Sequence, residues 1–206
     1  MRNSITLKYH GGIFMKSTRV LLFSFLVLAV LLFSIAAEAA EPEDVSEQFS
    51  LGLMYELGRG VTQSDVQAVY WYRRAAEQGY ERAQFNLGLM YASGRGVVQD
   101  EIQAVYWYRK SAAQGHERAQ HNLGNMYASG RGVAQDYSQA VYWWRRVAVQ
   151  GIAYAQHNLG IMYYDGHGVE QNDSQAVYWW RRAAAQGHAN AQYNLNIMLR
   201  SGRGVR

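Results

Sequence analysis

The sequence predicts an all-α solenoid assembled from a 36-residue helix–loop–helix unit, four full units plus a terminal half-repeat. Three observations carry this. The motif Leu51-Gly52-Leu53-Met54-Tyr55 returns at Leu87, Leu123 and Leu159, and in altered form at Leu195, always 36 residues on and without insertion. A Gly-x-Gly follows each copy, and a capping signal follows the first four of them. Proline occurs once in 206 residues, at Pro42. A fixed period of this size marks stacked supersecondary units, none of which can bury its apolar face alone.

Within a unit the first helix, A, is expected near 81–93 in the second copy. Its apolar positions Ala83, Leu87 and Met90 step by four and three, which is one helical face. Gly94-Arg95-Gly96 ends it, because glycine just past a helix takes the left-handed cap conformation without cost. Helix B begins after Ser64, Asp100, Asp136 or Asn172, each followed three residues later by Gln67, Gln103, Gln139 or Gln175. That pattern is a capping box, in which two free backbone N–H groups are satisfied reciprocally. Helix B is expected to end at Gly79, Gly115, Gly151 and Gly187. Its inner stripe, Ala104, Trp107, Tyr108, Ser111 and Ala112, has helical spacing, with Trp filling the space between units.

The N-terminus reads as an export signal. Lys16 and Arg19 precede an apolar run from Val20 to Ile35, and Ala37-Glu38-Ala39 supplies a small-x-small cleavage pattern. Residues 1–39 are then the signal peptide, cut after Ala39, with Met15 as an alternative start; 40–46 is a short acidic lead-in. The alternative is an uncleaved membrane anchor, since Val20 to Ala37 reaches the lower edge of a spanning length. Either way the repeats lie outside the cytoplasm, in the periplasm or the medium. The repeat domain occupies 47–206, in units 47–82, 83–118, 119–154 and 155–190 with a partial unit 191–206.

Charge and composition narrow the function. The formal net charge is +4, but Arg2, Lys8, Lys16 and Arg19 against Glu38 supply most of it, leaving the repeats near neutral. No nucleic-acid partner is expected on that balance. Without cysteine there is no disulfide, thiolate metal site or cysteine nucleophile. No Ser/His/Asp set, carboxylate pair or phosphate loop stands out, so no enzyme, cofactor or metal is expected. His121 and His157, one unit apart, lack a third ligand. The Gly-Arg-Gly tracts are expected to be helix caps, each with one solvated arginine. Arg73/Arg74, Arg109/Lys110, Arg145/Arg146 and Arg181/Arg182 are expected on a solvated outer face near helix C-termini, with an anionic-surface contact as the alternative.

The recurring string Ala83-Gln84-x-Asn86-Leu87-Gly88-x-Met90-Tyr91, Gly94-x-Gly96-Val97-x-Gln99-Asp100, Ala104-x-x-Trp107-Tyr108-Arg109-Lys110-x-Ala112-Ala113-Gln114-Gly115 resembles the Sel-one-like repeat, a cousin of the tetratricopeptide repeat. The resemblance spans about 47–206. It implies a right-handed superhelix and adaptor or scaffold roles in protein complexes, often for exported bacterial proteins. Some members are cysteine-rich and linked to β-lactam binding or hydrolysis; this chain has no cysteine and departs from them. Glu47 replaces the alanine of later units, which fits an exposed N-terminal cap. Asn196 and Leu199 replace the motif glycine and tyrosine, and the last helix reads as a cap, or as the remnant of lost repeats.

In the tetratricopeptide fold helix A lines the concave groove. Carried over, the positions that vary between units become candidate partner-binding residues: Phe49, Phe85, His121, His157 and Tyr193 in one column, and Leu53, Leu89, Asn125, Ile161 and Ile197 in a second. A third column, Glu56, Ala92, Ala128, Tyr164 and Arg200, contributes Tyr164, and Asn86, Asn122, Asn158 and Asn194 border the groove to hold an extended backbone. Phe and Ile exposed on one surface would mark a protein or peptide site. A cell-envelope enzyme or a carbohydrate- or peptidoglycan-binding protein, β-lactam-related activity included, is the competing reading. Against it, the 16 Tyr and 6 Trp are expected mostly at repeated core positions.

Overall fold

The computed structural model describes residues 42–204. The expected signal peptide, the first two residues of the lead-in and the last two residues of the chain lie outside them. The described residues form nine α-helices and no strand: α1 (Val45–Leu57), α2 (Asp65–Glu77), α3 (Glu81–Ser93), α4 (Glu101–Ala113), α5 (Glu117–Ser129), α6 (Tyr137–Ala148), α7 (Ala153–Asp165), α8 (Asp173–Ala184) and α9 (Ala189–Ser201). None of the helices among the described residues is long and apolar enough to cross a membrane. Odd-numbered helices are the A helices and even-numbered ones the B helices, and each packs on its neighbours in sequence. The helix-A stripe Ala83, Leu87 and Met90 is buried, as is the helix-B stripe Ala104, Trp107, Tyr108, Ser111 and Ala112.

The caps form as the sequence indicates, but only half of each box is made. Ser64, Asp100, Asp136 and Asn172 accept from the N–H of Gln67, Gln103, Gln139 and Gln175. The cap residue's own N–H is spent elsewhere: Ser64, Asp100, Asp136 and Asn172 donate to the carbonyls of Tyr55, Tyr91, Tyr127 and Tyr163, at 2.8–3.0 Å. This bond ties helix B to the last turn of the helix A before it, so the expected reciprocal glutamine contact is displaced by a tertiary one. At the start of the solenoid α1 begins at Val45, with Asp44 as its cap, two residues before the expected boundary.

Burial is shared between units. One apolar cluster joins Phe49 of α1, Tyr72 of α2, Leu87 of α3 and Trp107 of α4. Another runs from Val141 of α6 through Leu159 of α7 to Trp179 of α8. The motif glycine makes this packing possible. A Cβ on Gly88 would sit 2.7 Å from the Tyr108 ring, and one on Gly52, Gly124 or Gly160 would meet Tyr72, Trp144 or Trp180 well under 3.0 Å.

In the three inner A helices a glutamine follows the motif alanine Ala83, Ala119 or Ala155, and it is buried. Gln84, Gln120 and Gln156 donate through Nε2 to the carbonyls of Ala76, Ala112 and Ala148, in the last turns of the preceding B helices, at 3.0–3.1 Å. Their carbonyl ends accept in turn: Gln114 donates to Gln84 at 2.8 Å and Gln186 to Gln156 at 2.9 Å. Gln150 instead caps the Arg146 carbonyl, which leaves Gln120 Oε1 without a partner.

The loop arginine is an inter-unit clamp, which corrects the expectation of a merely solvated side chain. Arg95 pairs with Asp65 at 2.8 Å and Glu56 at 3.0 Å, Arg131 with Glu101 at 2.6 Å, and Arg203 with Asp173 at 2.8 Å. Asp65, Glu101 and Asp173 each open the previous helix B, where a negative charge also suits the positive end of the helix dipole. The second glycine of the loop lets the backbone reach that helix end. A Cβ on Gly96, Gly132, Gly168 or Gly204 would fall well under 3.0 Å from backbone of Asp65, Glu101, Tyr137 or Asp173.

Candidate functional site

The first column of candidate residues is not the free surface that its variability suggests. Phe49 and Phe85 are buried, at 6% and 3% exposure, so the expectation that they present an exposed groove fails. Each of the first four members of the column meets a ring at the start of the next helix A. Phe49 packs on Tyr80 at 5.2 Å, Phe85 stacks on His116 at 4.4 Å, His121 meets Tyr154 at 4.2 Å and His157 stacks on His188 at 4.6 Å. Residues at this position differ between units because any planar ring serves, not because the position is solvated. Tyr193, last in the column, is 68% exposed.

His116 and His188 have a second task. Each Nδ1 accepts the N–H of Ala119 or Ala191, at 3.2 and 3.3 Å, and so caps α5 or α9. Burial pushes the His116, His121 and His157 imidazoles below the usual histidine value; Arg118 and Arg82 add to this at His116, and His188 adds to it at His157.

The second column is mixed. Leu53, Leu89 and Ile161 are half-buried, whereas Asn125 and Ile197 are exposed. The four border asparagines, Asn86, Asn122, Asn158 and Asn194, are all half-buried. In the first half of the solenoid they are engaged: Asn86 hydrogen-bonds the Tyr72 hydroxyl and Asn122 the Tyr108 hydroxyl. Burial raises both phenols, and at Tyr72 the Glu56 carboxylate, which accepts its O–H, raises it further. In the second half the hydroxyl is gone. Trp144 and Trp180 stand where Tyr72 and Tyr108 stood, and their indole N–H groups turn to the carbonyls of His121 and His157, at 3.3 and 3.1 Å.

A cleft opens where that exchange meets the last helix. It is lined by Ile161, Tyr164, Trp180, Asn194, Ile197 and Met198, and encloses about 180 Å³. Ile161 and Tyr164 come from α7, Trp180 from α8, and Asn194, Ile197 and Met198 from α9. The structure therefore brings four of the candidate residues together, Ile161, Tyr164, Asn194 and Ile197, and leaves Leu53, Leu89, Asn125 and Tyr193 outside the cleft. Tyr164 forms one wall, 5.7 Å from the Trp180 ring, and the Arg203 guanidinium lies over its ring at 4.9 Å. Trp180 and Met198 escape sequence reasoning because both read as core. The available signal is the change from Tyr72 and Tyr108 to Trp144 and Trp180 at one repeat position.

The fold and this face define a helical-repeat solenoid with an apolar, amide-edged cleft between units, and no group of three or more His, Cys, Asp or Glu able to hold a metal among the described residues. The Sel1 repeat family model matches residues 48–80, 81–116, 117–151 and 153–188, and the chain belongs to that family. Proteins of this family are generally protein-interaction scaffolds. Among solved structures the chain is similar to a protective antigen present in uropathogenic Escherichia coli strains that displays an SLR fold, with 41% identity, a TM-score of 0.76 and 79% of this chain covered. The match spans only 35% of that antigen. It is also similar to a Sel1 repeat protein from Oxalobacter formigenes, with 32% identity, a TM-score of 0.77, and 87% and 78% of the two chains covered. No curated protein matches the chain closely.

Proposed function

We propose that this protein is an exported, non-catalytic scaffold that holds a protein or an extended peptide along the concave helix-A face, with the cleft at Ile161, Tyr164, Asn194 and Ile197 as its anchor. The observation that carries the reading is the cleft itself. Its walls are mostly apolar and a single amide stands at its edge, the arrangement of a pocket that takes one apolar side chain and fixes the neighbouring backbone. Ile197 is 45% exposed beside it, apolar surface that a partner would cover. Export rests on the charged start, apolar run and small-x-small pattern ending at Ala39.

The test is selection of binding peptides from a display library by the full chain, followed by affinities for wild type, Ile197→Asp and Asn194→Ala. Both changes are expected to weaken binding by about tenfold or more without loss of helicity, as for residues central to a desolvated anchor. Peptides that bind all three proteins equally would remove the cleft from the account. Export is tested by sequencing the N-terminus of protein recovered from periplasm and medium. A start at Ala40 is expected, and an intact N-terminus retained in the cytoplasm would overturn it.

A further inference from the structure

The opposite side of each unit carries a repeated feature that the scaffold reading does not use. The residue before the first tryptophan of every helix B is an exposed tyrosine: Tyr70, Tyr106, Tyr142 and Tyr178 are 42%, 45%, 50% and 45% exposed. Each stands edge-on to its tryptophan, at 4.9–5.0 Å and 80–83°, so the ring is held in one orientation. One turn later a cation lies over it, Arg74 at 5.8 Å, Lys110 at 5.2 Å, Arg146 at 5.9 Å and Arg182 at 5.7 Å. A second arginine precedes that cation, and in three units it reaches the next helix A: Arg73, Arg109 and Arg145 donate to the hydroxyls of Tyr91, Tyr127 and Tyr163 at 2.7–2.9 Å.

These groups surround shallow pits. One, of about 420 Å³, lies between α2 and the loop after α3, lined by Val66, Val69, Tyr70, Arg73, Arg74 and Val97 among others. Its counterpart two units on, of about 380 Å³, is lined by Val141, Tyr142, Arg145, Arg146, Val149 and Val169 among others. Each has a buried valine, Val69 or Val141, at its floor, an exposed valine, Val66 or Val149, and one tyrosine on its walls, and a rim of two guanidinium groups. Glu77 also lines the first pit, while the equivalent positions in later units are Ala113, Val149 and Ala185, so the positive character is unopposed there.

We propose that this outer face binds a linear acidic polysaccharide, with acidic sugars meeting successive units. A fixed exposed ring offers a flat apolar face to the C–H side of a pyranose, and a guanidinium pair matches a carboxylate or sulfate bidentately. The pits explain why the partner is a sugar. An acidic peptide needs the cations but neither ring nor floor, and an anionic membrane would need the cations and the exposed valines but not a ring held at a fixed angle, a difference that the vesicle arm below reads out. Repetition along the solenoid adds avidity, so long chains bind more tightly than short ones. This surface is independent of the helix-A cleft, and either can fail without the other.

The experiment measures binding of the full chain to polygalacturonate, sized oligogalacturonates, polyglutamate, neutral dextran and phosphatidylglycerol vesicles. Polygalacturonate is expected to bind more tightly as its length grows, and to be released as salt rises from about 50 to about 500 mM, where exposed charges are screened. Tyr142→Ala/Tyr178→Ala keeps every charge and is expected to weaken polygalacturonate roughly tenfold while leaving polyglutamate unchanged. Tyr142→Phe/Tyr178→Phe keeps the rings and is expected to bind as wild type, which separates loss of stacking from loss of fold. Arg146→Gln/Arg182→Gln is expected to abolish binding. Polyglutamate or vesicles binding as tightly as polygalacturonate, dextran binding equally, or no polygalacturonate binding at low salt would each overturn the proposal.

Discussion

His167 stacks on Tyr137, with ring centroids 4.7 Å apart and planes 14° from parallel. Elsewhere the same two repeat positions hold an ion pair, Arg95 with Asp65, Arg131 with Glu101 and Arg203 with Asp173. Both partners have changed together, so the clamp between loop and previous helix B survives in a different chemistry. Restoring one partner alone breaks it. Tyr137→Asp and His167→Arg are each expected to lower stability, and the double change to recover most of the loss. The coupling is expected to be about 0.5–1 kcal/mol, as for a pair that keeps solvent contact. Urea midpoints of the four proteins measure it, and strictly additive effects would refute the clamp.

The two glycines of each loop do different things. Gly130 is the left-handed cap of α5, at φ 70°, and the nearest atom to an added Cβ is the Gln135 side chain at 3.3 Å. Gly132 is also left-handed, at φ 65°, but its Cβ would run into the Glu101 carbonyl, a backbone group that cannot swing aside. Gly130→Ala is therefore expected to cost about 1 kcal/mol, the left-handed penalty alone. Gly132→Ala is expected to cost at least about 2 kcal/mol more, because the loop must lift off the preceding unit. Equal losses in chemical denaturation would show that the close approach between units is not needed.

Replacing a buried glutamine tests the inter-helix relay. Gln156 is fully buried, donates to the Ala148 carbonyl and accepts from Gln186. Gln156→Met fills the space but strands both partners, at an expected cost of about 1–3 kcal/mol. Gln120→Met should cost less, since the Gln120 carbonyl end has no partner to lose. The order of the two urea midpoints decides the matter.

The helices, the caps and the core stripes were legible because each repeats with a period that only stacked helix pairs explain. The relay of Gln84, Gln120 and Gln156 was not, because an invariant polar residue within a motif gives no sign of burial. The candidate face was half legible. Variation picked out Ile161, Tyr164 and Ile197, which with the recurring Asn194 line one cleft, but it also picked out Phe49 and Phe85, which vary for a different reason. A stack between units tolerates Phe or His, so variability there reports interchangeable rings. The exposed Tyr70 series was hidden in the opposite way, since an aromatic repeated in every unit resembles core.

The ring column also makes stability depend on pH. Burial holds the His116, His121 and His157 imidazoles below the ordinary value of 6.5. The unfolded chain therefore binds more protons than the folded one in the window just below pH 6.5, and stability falls as pH drops through that window. Above 6.5 the contribution is complete. The groups around His116 are Glu81 and Glu117, which favour its charge, and Arg82 and Arg118, which oppose it; at His157 the opposing group is His188. Protonation at His116 also turns the acceptor that caps α5 into a donor. Asp44, held below 3.8 by its hydrogen bonds to Ser46 and Glu47, stays charged through this window and loses its contribution only at lower pH. Phe49 and Phe85 show that phenylalanine suits the position, so His121→Phe/His157→Phe is expected to fold and to lose less stability than wild type between pH 7.5 and about pH 5. Urea midpoints at the two pH values measure the difference. If the double variant loses as much stability as wild type on acidification, these two rings do not carry the pH dependence.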